Sequence, residues 1–175
     1  MGLVWITGNS GTGKSEVCAA LAGQGYRTVD SDQGMAVWMH RQTGQVIHAV
    51  DTGPLSQDWF RDYRWILSRS RVEELAAIAA AQTVFLCGLA QNDEDLWDLF
   101  DVKICLILAD TTIRERLTQR SENPFGRAPA ELDAVLGFNG PLVAKYTALG
   151  AMLIDSSRPL EVVVRDVLDA LERPG

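Results

Sequence analysis

Eight residues near the start of the chain, Gly8-Asn9-Ser10-Gly11-Thr12-Gly13-Lys14-Ser15, match G-x-x-x-x-G-K-[ST], the pattern of a loop that cradles phosphate. The glycines let the backbone bend around an anion and turn successive N–H groups towards it. A helix starting there adds its partial positive charge. Lys14 is expected to reach the β- and γ-phosphates of ATP, and the Ser15 hydroxyl to ligate Mg2+. The flanks agree: Leu3-Val4-Trp5-Ile6-Thr7 reads as a buried strand, and Glu16 to Ala22 as a helix ended by Gly23 and Gly25. The bland alternative, a glycine-rich turn with an incidental lysine, does not by itself call for that order of strand, loop and helix.

A second group of candidates follows the next apolar run, Tyr26-Arg27-Thr28-Val29-Asp30. Asp30 and Asp32 lie at its end. Two carboxylates there could hold Mg2+ through water and take a proton from a substrate hydroxyl, or they could simply form the turn after a strand. Farther on, Arg114, Arg116, Arg120 and Arg127 surround a loop containing Pro124 and Gly126. Such a loop can close over a nucleotide and stabilise charge on a transferring phosphoryl group, a role assigned to Arg116 and Arg120, with Arg114 on a solvated helix face. Trp38 and Trp59 read either as core or as surfaces for a base or sugar. Gln91, Asn92 and Asp93 read either as contacts to a substrate edge or as a helix N-cap. Asp110 follows an apolar run as a Mg2+-binding aspartate of a nucleotide hydrolase would. No glutamate follows it, and no base-reading Asn-Lys-x-Asp motif occurs, so it is read as the cap region of the next helix.

These residues need a scaffold. Further strands are expected at Thr83–Cys87, Val102–Leu108 and Ala151–Asp155. Helices are expected over 33–43, from about Ser56 to Ala81, over Asp93–Phe100 and Thr111–Arg120, from Pro129 to about Leu149 with a break at Gly140-Pro141, and over Leu160–Leu171. Thr43-Gly44 and Asp51-Thr52-Gly53-Pro54 read as turns. Five apolar runs alternating with helices predict an α/β fold, a five-stranded parallel sheet with helices on both faces and ligands at the carboxyl ends of the strands. Residues 1–175 read as one domain, with a segment over about 33–80 closing on the substrate and a small lid over about 114–130.

Bulk composition narrows the partners. With 16 basic and 23 acidic residues and a formal charge of −7, the chain lacks the basic surplus of a nucleic-acid-binding face. No apolar run approaches a membrane span. The three cysteines form no C-x-x-C pair and read as buried thiols of a cytoplasmic protein; Met1 leads at once into the first strand, leaving no room for a signal peptide. His40 and His48 offer no metal-ligand spacing.

With these motifs in place the chain resembles the small P-loop kinases related to adenylate, gluconate and shikimate kinases. Asp30-Ser31-Asp32-Gln33 looks most like the shikimate kinase group. The resemblance implies Asp30 near Mg2+ and Asp32 on the acceptor hydroxyls. Trp59-Phe60-Arg61-Asp62 is similar to the Phe-Arg of that group, which implies that Arg61 grips an acidic substrate. Arg116-Leu117-Thr118-Gln119-Arg120 resembles the start of the adenylate kinase lid, which implies Arg116 over the adenine and Arg120 on the phosphates. Ile154 to Pro159 resembles the adenine-side loop. Gly88 stands at the third strand's end, where the relatives contact their acceptors. Two departures bear on the acceptor: Cys87-Gly88-Leu89-Ala90-Gln91 replaces a run of glycines, and Asn139 stands where an acid-binding arginine precedes Pro-Leu. Without that clamp a neutral, hydroxyl-rich small molecule, a nucleoside or sugar derivative, suits better than shikimate. The expected function is ATP-dependent phosphoryl transfer to a hydroxyl, or a phosphate, of a small metabolite, with a nucleoside, nucleotide or sugar-like acceptor favoured, and the alternative is a nucleotide-binding regulatory ATPase or switch with no small-molecule acceptor.

Overall fold

The computed structural model describes residues 1–47, 55–121 and 124–172. The turn expected at Asp51–Pro54, His48, and Glu122 and Asn123 of the arginine-flanked loop lie outside the described residues. In chain order the elements begin with β1 (Gly2–Gly8), α1 (Lys14–Gly23), β2 (Arg27–Asp30), β3 (Ala36–His40) and β4 (Val46–Ile47). Then come α2 (Gln57–Asp62), β5 (Tyr63–Leu67), α3 (Arg69–Ala79), β6 (Thr83–Cys87) and a 3-10 segment, Asp93–Leu99. The chain continues with β7 (Val102–Ile107), α4 (Asp110–Gln119), α5 (Pro129–Ala148), β8 (Met152–Asp155) and α6 (Leu160–Ala170).

The predicted parallel sheet is present, in the order β2-β6-β1-β7-β8 with every neighbouring pair parallel. Its central strand β1 is apolar on both faces because helices cover both. Val4 and Ile6 point to one side, joining Phe85 and Ile104 against Val17 and Leu21 of α1 and Val163 and Val167 of α6. Leu3 and Trp5 point to the other, with Val84 and Leu86 against Val72, Leu75 and Ala79 of α3. Each such side chain, fully buried, contributes on the order of 1.5–3 kcal/mol. Cys18, Cys87 and Cys105 are buried free thiols, and no helix among the described residues is long and apolar enough to cross a membrane.

Two helical expectations are corrected. Residues 33–43 hold a strand, β3, and the long helix expected over 56–81 is interrupted by β5; β4, β3 and β5 form a separate antiparallel sheet. Trp59, Tyr63 and Leu67, four residues apart, mimic one helix face, yet Tyr63, Trp65 and Leu67 also alternate. The cross-strand pairs Ala36 with Leu67, Trp38 with Trp65 and His40 with Tyr63 decide for the strand. This sheet is tied to the central one by two amides after β6. Gln91 Oε1 accepts from Trp65 N at 2.9 Å, and Asn92 both accepts from Leu67 N and donates to Leu67 O at 2.9 Å.

The third correction concerns α5, which runs unbroken through Pro141. Pro141 cannot donate to the Gly137 carbonyl, but burial of Val135, Asn139, Leu142 and Tyr146 along one stripe keeps the helix continuous.

Candidate active site

The strand order brings the carboxyl ends of β2, β6 and β1 side by side, and with them Asp30, Gly88 and the loop that begins at Gly8. Gly11 and Gly13 adopt positive φ angles of 85° and 89°, which L side chains avoid, and so the loop folds back to start α1 at Lys14. No side chain caps that helix N-terminus, so its amides are open to an anion. Lys14 Nζ bends over the loop and donates to the carbonyls of Gly8 (2.9 Å) and Asn9 (2.8 Å). Burial lowers the lysine's pKa, opposed by Asp32 and Asp30.

Opposite the lysine, Ser15 Oγ lies 3.4 Å from Asp30 Oδ2, and Asp30 Oδ1 accepts the amide of Asp32 at 3.0 Å. Asp32 is exposed as a residue and lines the cleft, and its Oδ1 accepts from Ser31 Oγ at 3.3 Å. The surrounding protein and the negative charge of Asp30 raise its pKa, Lys14 opposing. A hydroxyl beside carboxylates is a hard-oxygen donor set that fits Mg2+.

Two cavities meet here. The first, about 700 Å³, is lined by Ser10 to Val17, Asp30, Asp32, Gly88, Arg116, Arg120, Ser156 and Arg158 among others. The second, about 440 Å³, is bounded by Trp38, Phe60, Trp65, Phe125 and Phe138 together with Leu55, Leu89 and Gln91. Ser10, Lys14 and Asp32 line both.

Of the arginines, Arg116 donates to Ser156 O at 3.0 Å and to Gly11 O at 3.5 Å, which sets it across the mouth of the loop. Arg120 donates to the Phe125 carbonyl, and burial, then Arg127, lowers its pKa. Arg61 is not brought to the site: it lines neither cavity, its side chain is 67% exposed, and it pairs with Asp58 (2.8 Å) and Asp62 (3.0 Å). Trp38 reaches the second cavity, whereas Trp59 stacks on Tyr63 at 4.2 Å outside it. Neither Asn92 nor Asp93 lines either cavity, and Asn92 stands at the N-cap position of the 3-10 segment. Asn92 makes no side-chain cap and serves β5 instead. Asp93, fully buried, binds Lys145 at 2.6 Å and accepts from the Tyr146 hydroxyl, which also lies 3.2 Å from Thr7 Oγ1.

Two residues already singled out in the sequence, Asn9 and Asn139, take positioning roles that it did not assign, and a third, Glu131, escaped the sequence reading. Asn9, inside the loop, donates to Val135 O (2.8 Å) and Asn139 Oδ1 (3.2 Å) of α5, and Asn139 in turn donates to Leu108 O and Asp110 Oδ1. Asn139 therefore locks the loop, the end of β7 and the start of α4 together. A lone polar residue on the apolar stripe of α5 was the available signal. Glu131 is buried near the start of α5; one carboxylate oxygen accepts from Leu55 N and the other from Gly126 N, both at 2.8 Å.

No family model matches the chain, and no curated protein matches it in sequence. Solved structures match its fold. A shikimate kinase from Acinetobacter baumannii, in complex with shikimate, aligns with a TM-score of 0.60 and 21% identity over 98% of this chain and 93% of its own. A gluconokinase from Sinorhizobium meliloti 1021 gives 0.59 and 19% over 98% and 92%. A deoxyadenosine kinase from M. mycoides with bound dATP gives 0.56 and 13% over 99% and 100%. The fold is that of the P-loop small-molecule kinases.

Proposed function

We propose that this chain is a kinase that transfers the γ-phosphoryl group of ATP to a hydroxyl of a neutral small molecule, of nucleoside or sugar-like character. The observation that carries the reading is the sharing of Lys14 and Asp32 by two cavities of different character. One is bounded by the glycine loop and by Arg116, Arg120 and Arg158, suited to a triphosphate. The other is walled by aromatic residues, suited to an acceptor. A group passed between their occupants crosses that shared wall.

In this reading Lys14 exchanges its two carbonyl partners for phosphate oxygens, and the amides from Gly8 to Ser15 hold the rest of the triphosphate. Ser15 and Asp30 would hold Mg2+, which neutralises charge on the β- and γ-phosphates when bound. Asp32 orients the acceptor hydroxyl and takes its proton. Arg116 and Arg120 steady the developing charge as the lid over about 114–130 closes.

The test is ADP release by the pure protein with ATP and Mg2+, across nucleosides, nucleoside monophosphates, sugars, gluconate, shikimate and dephospho-coenzyme A. Acceptor-dependent turnover, lost in Asp32→Asn with ATP binding retained, supports the reading. Tight ATP binding with no acceptor effect and nucleotide-dependent capture of a protein partner would favour a regulator instead.

A further inference from the structure

The second cavity carries a narrower statement about the acceptor, which rests on the kinase reading. Among the described residues that line it, Lys14 is the only cation, and its ammonium is already held by the carbonyls of Gly8 and Asn9. An acidic acceptor would therefore sit beside Asp32 and against aromatic walls without a counter-ion, an arrangement that burial penalises heavily. A polyol fares little better. The polar lining is confined to Asn9, Ser10, Lys14, Asp32 and Gln91, with the Asn9 amide engaged by α5 and the Gln91 carbonyl by Trp65. Most hydroxyls of a sugar would lose water and gain no partner.

The walls suit a different shape. Trp38 meets Trp65 at 5.2 Å and 55°, Phe60 at 6.2 Å and 61°, and Phe60 meets Phe125 at 6.1 Å and 73°. These rings touch edge-on or tilted, in contrast to Trp59 and Tyr63 outside the cavity, which stack at 18°. None of these three contacts is the offset stack that a flat ring makes with a ring face.

We infer that the acceptor is an uncharged alcohol carrying a flat unsaturated ring, held against Trp38 with its hydroxyl directed to Asp32, and that Trp38 is the specificity-determining residue. The ring selects, and the missing cation excludes acids such as gluconate and shikimate.

The experiment is calorimetric titration of the whole protein with adenosine, uridine, 4-nitrobenzyl alcohol, ribose, gluconate and shikimate, beside the ADP-release assay. At least one ring alcohol is expected to bind tenfold or more tighter than ribose, which carries a nucleoside's hydroxyls without its base. Trp38→Leu is expected to weaken that ligand at least tenfold, and Trp38→Phe less than threefold, with ATP affinity unchanged in both as the control for folding. Ribose or either acid binding as tightly as every ring alcohol overturns the inference, as does indifference to Trp38→Leu. ADP release driven only by a polyol would keep the kinase reading and sink this one. Trp38-dependent ring binding without any ADP release would do the reverse.

Discussion

The Ser31 hydroxyl occupies the space that a side chain at Gly88 would need: a Cβ built on Gly88 lies 1.7 Å from Ser31 Oγ and 2.5 Å from Ser31 Cβ. Ser31 is fully buried between Asp30 and Asp32, and its amide donates to Cys87 O at 2.8 Å. The absent side chain at the end of β6 thus fixes the height of both carboxylates.

Gly88→Ala should push Ser31 outward and misplace Asp32. An overpacked site of this kind costs about 1–3 kcal/mol, and a misplacement near 1 Å costs on the order of 100-fold in turnover. Adding Ser31→Gly removes both clashing atoms and should restore a large part of the loss. Melting curves and acceptor-dependent ADP release for the two single variants and the double variant check this; a double variant no better than Gly88→Ala would disprove the coupling.

Asp32→Asn should abolish transfer yet leave the ligand-free protein slightly more stable at neutral pH. The folded-state pKa of Asp32 is raised, by burial and Asp30. Its contribution to stability is therefore present below the ordinary carboxylate pKa and lost as pH rises through the raised value. Removing the charge recovers that loss. Because the protein only partly strips water from the carboxyl of this exposed residue, the gain is screened to under about 1 kcal/mol. It should vanish as pH falls towards about 4. Activity of the wild type should decline on the acid side at a pH above the ordinary carboxylate range. Thermal denaturation of both proteins across pH, with the rate profile, measures each part.

Glu131→Gln keeps one acceptor oxygen where the carboxylate offers two, so either Leu55 N or Gly126 N loses its partner. Unpairing a buried amide costs about 1–3 kcal/mol. Because Leu55 and Phe125, next to Gly126, both line the second cavity, the acceptor KM should rise while the KM for ATP stays near wild type. Equal changes in both would place the effect on the fold at large.

Arg61→Ala should change little. Its ion pairs are exposed, and water and salt screen pairs of that kind until they contribute little. The KM for the acceptor is expected to stay within a factor of two. A tenfold rise would return Arg61 to the role that its resemblance implies.

The central sheet was legible because its strands are unambiguous: Val84 to Cys87 and Ile104 to Leu106 are continuous apolar runs, as strands covered on both faces must be. The fold-back of the glycine loop was legible for a related reason, since the positive φ angles at Gly11 and Gly13 call for glycine. The acceptor side was not. Trp38 and Trp65 lie in short strands whose pairing joins residues far apart in sequence, and local periodicity cannot distinguish them from a helix face. Likewise Glu131 acts through two backbone amides, Leu55 and Gly126, and no side-chain motif records such a partnership.

The position of β1 has a consequence for how the protein acquires its activity during synthesis. The phosphate loop emerges first, yet Leu3 pairs with Val84 and Val4 with Val102. Closing contacts of such long range carries an entropic cost that local contacts do not. A nascent chain halted before β7 would carry the entire motif from Gly8 to Ser15 with its strand unpaired on one edge. In the kinase reading proposed above, nucleotide affinity should therefore appear late in translation, after β7 has left the ribosome, although the loop assigned to it is among the first segments made.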